Sequence, residues 1–152
     1  MRLALYQPDI PQNAGSLMRL CACLGVAVDV IEPCGFLFSD RNFQRAGMDY
    51  LAGLDLTRHS SFGEFRTHAS GRLVLLTTKA STPYFDFRFA ESDTLMVGRE
   101  SAGVPDEVHV MADARLTIPM RAGMRSLNVA LAAAIALGEA LRQTSLYPET
   151  AA

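Results

Sequence analysis

The chain has 152 residues, 49% of them hydrophobic and 20% charged, with a formal net charge of −2 at pH 7. That length and balance suit one globular domain, residues 1–152, with a real core, and argue against a disordered or disulfide-stapled chain. The charge leaves no global basic footprint of the kind that marks a nucleic-acid binder. Yet thirteen of the fourteen cations are arginine and only Lys79 is lysine. Arginine suits bidentate phosphate contacts, although a compositional bias of the genome explains the skew equally well.

Residues 2–6 read as a buried strand, too short for the apolar region of a signal peptide, so a cytoplasmic protein is expected. Pro8 and Pro11 stiffen the following loop, and Gln12 to Ser16 open a helix. Its apolar face is Leu17, Leu20, Cys21 and Leu24, Gly25 ends it at C′, and Arg19 points away. Residues 26–31 form a second strand, closed by Pro33 and Gly35. A short polar helix from Asp40 carries Arg41 and Arg45 on one face, either as a solvated surface or as a phosphate-contacting patch. Residues 54–58 read as a weak strand and 62–68 as a short helix. Cys21, Cys23 and Cys34 are odd in number and sit in apolar stretches, which predicts reduced core thiols. No second Cys/His pair completes a four-ligand set, so no metal is expected. His59, His68 and His109 are expected at the surface or as caps.

Residues 72–77 are the clearest strand, with Thr77-Thr78-Lys79 at its end. Residues 93–98 are another, running into Gly98-Arg99-Glu100-Ser101-Ala102-Gly103, whose two glycines would permit close backbone approach to a ligand. Pro105 starts a helix. A strand at 115–118 is stopped by Pro119, and Ser126 is the expected N-cap of a last helix over 127–143, with Leu127, Leu131, Ala134 and Leu141 on its apolar face. Ala130, Ala134 and Gly138 make a stripe of small side chains suited to a tightly packed helix of this or a second subunit. The apolar part is shorter than the ~20 residues a bilayer requires. Strand–helix alternation argues a parallel sheet with helices on both faces, whose ligands bind at the carboxyl ends of the strands. Here those ends are Leu76-Thr77, Gly98 and Ile118-Pro119. There is no GxGxxG after the first strand, no GxxxxGK[ST] and no GxSxG elbow.

Three segments together resemble the SPOUT superfamily of RNA methyltransferases: Pro11-Gln12-Asn13-Ala14-Gly15 through Arg19, Val97 to Pro105, and Ile118-Pro119-Met120 through Ser126-Leu127-Asn128-Val129-Ala130. The small size and Ala46-Gly47-Met48-Asp49-Tyr50 look like the subgroup that methylates the ribose 2′-oxygen of the tRNA wobble nucleotide, cytidine or carboxymethylaminomethyluridine 34. The resemblance implies an α/β fold with a C-terminal deep trefoil knot, one of the rare exceptions to unthreaded connections. It also implies a homodimer, tRNA as partner, and S-adenosyl-L-methionine as cofactor, with no metal and no membrane. By position, Leu76, Gly98, Ile118 and Ser126 would contact the cofactor, with Met120 and Leu127 beside them. The catalytic set would be Arg19, Asn13, Glu100, Ser126 and Asn128. The family analogy gives proton removal to Arg19, but a guanidinium stays protonated, so Arg19 is read as orienting and stabilising the developing alkoxide or the adjacent phosphate, with water or phosphate taking the proton and Asn13 holding Arg19 or the ribose. The competing expectations are a 2′-O-methyltransferase for another RNA site and an RNA-binding module without chemistry.

Overall fold

The computed structural model describes residues 1–38, 41, 45 and 50–150. Among them the chain forms β1 (Arg2–Tyr6), α1 (Pro11–Leu24), β2 (Ala27–Ile31), β3 (Leu56–His59), α2 (Phe62–His68), β4 (Leu73–Leu76) and β5 (Thr82–Pro83). After a 3₁₀ turn at Tyr84–Asp86 come β6 (Thr94–Val97), α3 (Asp106–Met111), β7 (Ala114–Thr117) and α4 (Val129–Thr144). The helix expected from Asp40 falls largely outside the described residues; Arg41 and Arg45 themselves are exposed.

The strands lie in the order β3-β2-β1-β6-β4-β7-β5, every pair parallel. Strands covered on both faces read as unbroken apolar runs, and the alternation of their side chains sorts two cores. Leu3, Leu5, Val28, Val30, Leu95, Val97 and Leu116 face α1 and α4, meeting Leu17, Met18, Cys21, Leu137 and Leu141. Ala4, Tyr6, Ile31, Leu73, Leu75 and Met96 face α2 and α3, meeting Phe65 and Val108. β1 connects through α1 to β2 on one side, whereas its neighbour β6 connects through α3 toward β7 on the other. The chain therefore reverses its direction of travel between β1 and β6, and at such a switch point the loops above the sheet part to leave a crevice.

Local chemistry explains most boundaries. Pro11 occupies the first helical turn of α1, where a missing N–H costs nothing, and Gly25 ends it in the left-handed conformation at φ 67°. Ser61 caps α2 by accepting the Glu64 N–H at 3.1 Å.

Several expectations are corrected. The last helix begins two residues later than predicted: Asn128, not Ser126, is its cap, accepting from the N–H groups of Ala130 and Leu131 at 2.9 and 3.2 Å. Its buried face is Ala133, Ala136, Leu137, Ala140 and Leu141, while Leu127 and Leu131 are 41% and 62% exposed. β3 is shifted toward His59, which is buried and hydrogen-bonded to Asp29 Oδ1 at 2.8 Å rather than lying at the surface. Arg2 donates to the same carboxylate at 2.6 Å, so the buried charge is paired. Cys23 is exposed rather than in the core. Two elements went unpredicted, β5 and the 3₁₀ turn; Gln143 on α4 ties the segment after them by donating to the Phe87 carbonyl and accepting from the Phe89 N–H, at 3.0 and 2.9 Å. Among the described residues no helix is long and apolar enough to cross a membrane.

Candidate active site

A crevice of about 440 Å³ opens at the carboxyl ends of β4, β6 and β7, between the first turns of α1 and α4. The three strand-end loops singled out from the sequence do converge: Leu76, Gly98, Ile118, Met120, Ser126 and Leu127 all line it, and so do Asn13, Glu100 and Asn128. Arg19 does not line it. It lies six residues along α1 from Asn13, a rise of about 9 Å, exposed and stacked with its guanidinium 4.7 Å from the centre of the Tyr50 ring. Ile10 and Ala132 line the crevice without having been picked out from the sequence. For Ile10 the signal was available, since the loop after β1 is also a strand carboxyl end; Ala132 carries no mark in the sequence.

The walls are held by contacts between loops remote in sequence. Asn128 donates its side-chain amide to Asn13 Oδ1 at 3.0 Å while its own oxygen caps α4, so one residue joins the starts of two helices. Asn13 thus engages Asn128, and Arg19 is turned to Tyr50. The loop after β6 folds back on itself: Arg99 and Gly103 exchange backbone hydrogen bonds of 3.1 and 2.9 Å, and a Cβ on Gly98 would stand 2.6 Å from the Gly103 carbonyl carbon. Gly98 therefore allows the loop to pack closely on itself, and this shapes the wall. Glu100 lies inside this loop. Its carboxyl is pushed above the ordinary range by burial and by the neighbouring Asp9 carboxyl, while the hydrogen bond with Glu100 holds Asp9 below it. Arg99 is directed away, donating to Gln7 and lying 5.8 Å from the Tyr6 ring centre.

The lining combines apolar side chains, among them Leu76, Val97, Ile118 and Leu127, with hydroxyl and amide groups from Thr77, Thr78, Thr117, Ser126 and Asn13. A volume of this order with a few convergent polar groups fits a nucleoside-sized ligand that has a flat apolar part and several polar edges. Among the described residues, no group of three or more His, Cys, Asp or Glu side chains is placed to hold a metal ion.

A parallel α/β sheet with a crevice at the carboxyl ends of its strands defines a class of α/β ligand-binding folds, here without a glycine-rich dinucleotide loop after the first strand. Within that class the chain belongs to the SpoU rRNA Methylase family, whose model matches residues 1–138. It is 65% identical over 144 residues to a tRNA (cytidine(34)-2′-O)-methyltransferase of Beijerinckia indica subsp. indica, covering 93% of this chain and 90% of the relative. A structure solved in work on 2-OH methylation of C/U34 on tRNA is 42% identical, covers 93% of this chain and 94% of its own, and superimposes with a TM-score of 0.89. The SpoU methyltransferase AviRb from Streptomyces viridochromogenes, in complex with the cofactor AdoMet, is 28% identical with a TM-score of 0.84, covering 94% of this chain and 60% of that one.

Proposed function

We propose that the chain methylates the ribose 2′-oxygen of nucleotide 34 of tRNA, cytidine or modified uridine, using S-adenosyl-L-methionine. The observation that carries this is the convergence of the loops after β4, β6 and β7 on one crevice in a chain 65% identical to an enzyme of that name. Leu76, Gly98, Ile118, Met120, Ser126 and Leu127 would hold the cofactor. When bound, it supplies a methyl group already activated on a sulfonium. The protein's part is then to align the ribose oxygen with that methyl group, an effect worth up to roughly 7–11 kcal/mol at best. Asn13 and Asn128 brace the crevice from two helix ends, and Glu100 lines it from the loop after β6. Arg19, displayed on Tyr50 outside the crevice, meets the RNA backbone or the developing alkoxide and stays protonated.

The working form in this reading is a cytoplasmic homodimer of single-domain subunits, each with a C-terminal trefoil knot. What supports the dimer is α4, apolar on two sides: its buried face packs on α1, and Leu131 and Ile135 lie exposed on the other. Among the described residues a Cβ on Gly138, in the small-residue stripe, would meet the Tyr147 hydroxyl at 3.1 Å, and that hydroxyl donates to the Gly138 carbonyl at 3.2 Å. What supports the knot is the path of residues 118–128. They leave β7 near the sheet edge and return across the carboxyl ends of β4 and β6 to α4, which is bound both to α1 and to the segment around Phe87.

The test is transfer of labelled methyl from S-adenosylmethionine to tRNA from a strain lacking the corresponding enzyme, with nucleoside mapping. A single 2′-O-methyl group at nucleotide 34 is expected, and Arg19→Ala should abolish it with cofactor binding retained. A methyl group at another position would refute the assignment.

A further inference from the structure

The proposed reaction needs a group to accept the ribose proton, and the polar contacts around Glu100 supply one. Asp9, in the turn after β1, donates its backbone N–H to Glu100 Oε2 at 3.0 Å, and Glu100 returns its own N–H to Asp9 Oδ1 at 3.1 Å. The Ser101 hydroxyl donates to the other Asp9 oxygen. Asn13 lines the same crevice as Glu100 and is itself fixed by Asn128, whose side-chain amide donates to it at 3.0 Å. On its far side Asp9 packs against bare backbone: a Cβ on Gly35 would stand 2.7 Å from Asp9 Cβ, and Gly35 donates to the Pro8 carbonyl at 2.9 Å. Two carboxyl groups from loops 91 residues apart are thus clasped together at the crevice wall.

Among the described residues, the groups that face this pair are Ser101, Asn13 and the two carboxyls themselves; the neighbouring cation, Arg99, is engaged with Gln7 and Tyr6. With no cation among the described residues to neutralise the pair, the Asp9 carboxyl disfavours ionisation of Glu100, which therefore binds a proton more tightly than a free carboxylate does. We propose that Glu100 accepts the ribose 2′-hydroxyl proton, with Asp9 as the positioning residue that holds its carboxyl at the crevice wall. This rests on the methyl-transfer reading above. The ribose 2′-oxygen forms its bond to the methyl carbon as its proton passes to the Glu100 carboxylate; the carbon–sulfur bond breaks with its electron pair left on sulfur. The sulfonium and carboxylate charges disappear together. A carboxylate whose proton affinity is raised toward the working pH is a better base than a free one, and burial with a carboxyl neighbour raises that of Glu100.

The test compares wild type with Glu100→Gln and Asp9→Asn in three readouts: ¹³C NMR titration of the glutamate carboxyls in cofactor-free protein, cofactor affinity by calorimetry, and single-turnover transfer to tRNA against pH. Glu100→Gln removes one carboxyl signal, which identifies Glu100; it should lower the single-turnover rate by about 100-fold or more with cofactor affinity unchanged. In wild type that signal should titrate above the ordinary glutamate range, and the rate should rise with pH through the same point. Asp9→Asn removes the neighbouring charge, so Glu100 ionises more readily and both the signal and the rate limb should move together to lower pH. A Glu100→Gln protein with more than about a tenth of the wild-type rate overturns the proposal, as does an Asp9→Asn protein whose signal moves without the rate limb. Should Glu100→Gln fail to fold, the Asp9→Asn comparison decides alone. An active wild type alongside an active Glu100→Gln refutes only the proton acceptor, whereas a wild type that methylates no tRNA refutes the underlying function.

Discussion

Replacing Gly98 by alanine tests whether the self-packing of the loop after β6 is what shapes the crevice. The added methyl group would lie 2.6 Å from the Gly103 carbonyl carbon, 2.8 Å from its Cα and 3.0 Å from its oxygen. Carbon atoms in contact settle at about 3.5–4.0 Å, so the two strands of the loop must part by about 1 Å. The atoms in the way are backbone and cannot rotate aside. Parting them breaks the exchange between Arg99 and Gly103, two hydrogen bonds of 3.1 and 2.9 Å, each worth about 0.5–1.5 kcal/mol net. The sum, about 1–3 kcal/mol, matches the usual effect of overpacking. Carried wholly by the binding-competent loop, it weakens cofactor affinity by about 5- to 150-fold at 1.4 kcal/mol per decade. The same distortion lowers the melting temperature by about 2–4 °C per kcal/mol in a chain of this size. Calorimetric titration with S-adenosylmethionine and a thermal melt measure both. A Gly98→Ala protein with wild-type affinity and wild-type melting would refute the reasoning.

Asn128→Ala loses the cap on α4 and the bridge to Asn13, about 1 kcal/mol each, and should shift urea unfolding by about 2 kcal/mol; an unchanged midpoint would show that the bridge is idle. Leu131→Asp places a charge on the exposed apolar side of α4 and should convert the proposed dimer to a monomer in sedimentation, with a surviving dimer contradicting that interface. Burial pushes the Cys21 thiol up to about 12 and the Cys34 thiol up to about 11, the latter helped by Glu32, while Cys23 is exposed. A disulfide exchange reagent at pH 8 should therefore find one fast thiol in the native protein, absent in Cys23→Ser; two fast thiols would contradict the burial of the others.

The strands were legible because a parallel sheet covered on both faces demands continuous apolar runs, and residues 72–77 and 93–98 are such runs. Helix stops such as Gly25 were equally plain, since few residues tolerate a left-handed backbone. The crevice followed from strand order as far as the three loops after β4, β6 and β7, and the resemblance to the SPOUT superfamily named side chains within them. What eluded it shares one physical cause: a choice between locally equivalent options, settled by a distant partner. Ser126 and Asn128 are both good caps, and the bridge to Asn13 selects Asn128. α4 is apolar nearly all round, so its periodicity names no inward face; contact with α1 chooses Ala133, Ala136 and Leu137. His59 is polar and sits beside two serines, yet Asp29, thirty residues earlier, supplies the hydrogen bond that makes its burial favourable. Asp9 was silent for the same reason, because a carboxyl acquires its chemistry from what faces it, and Glu100 reaches it only when β1 and β6 lie side by side. Local composition determines which segments become strands and helices; which side chains meet across them is decided by the order in which the strands assemble.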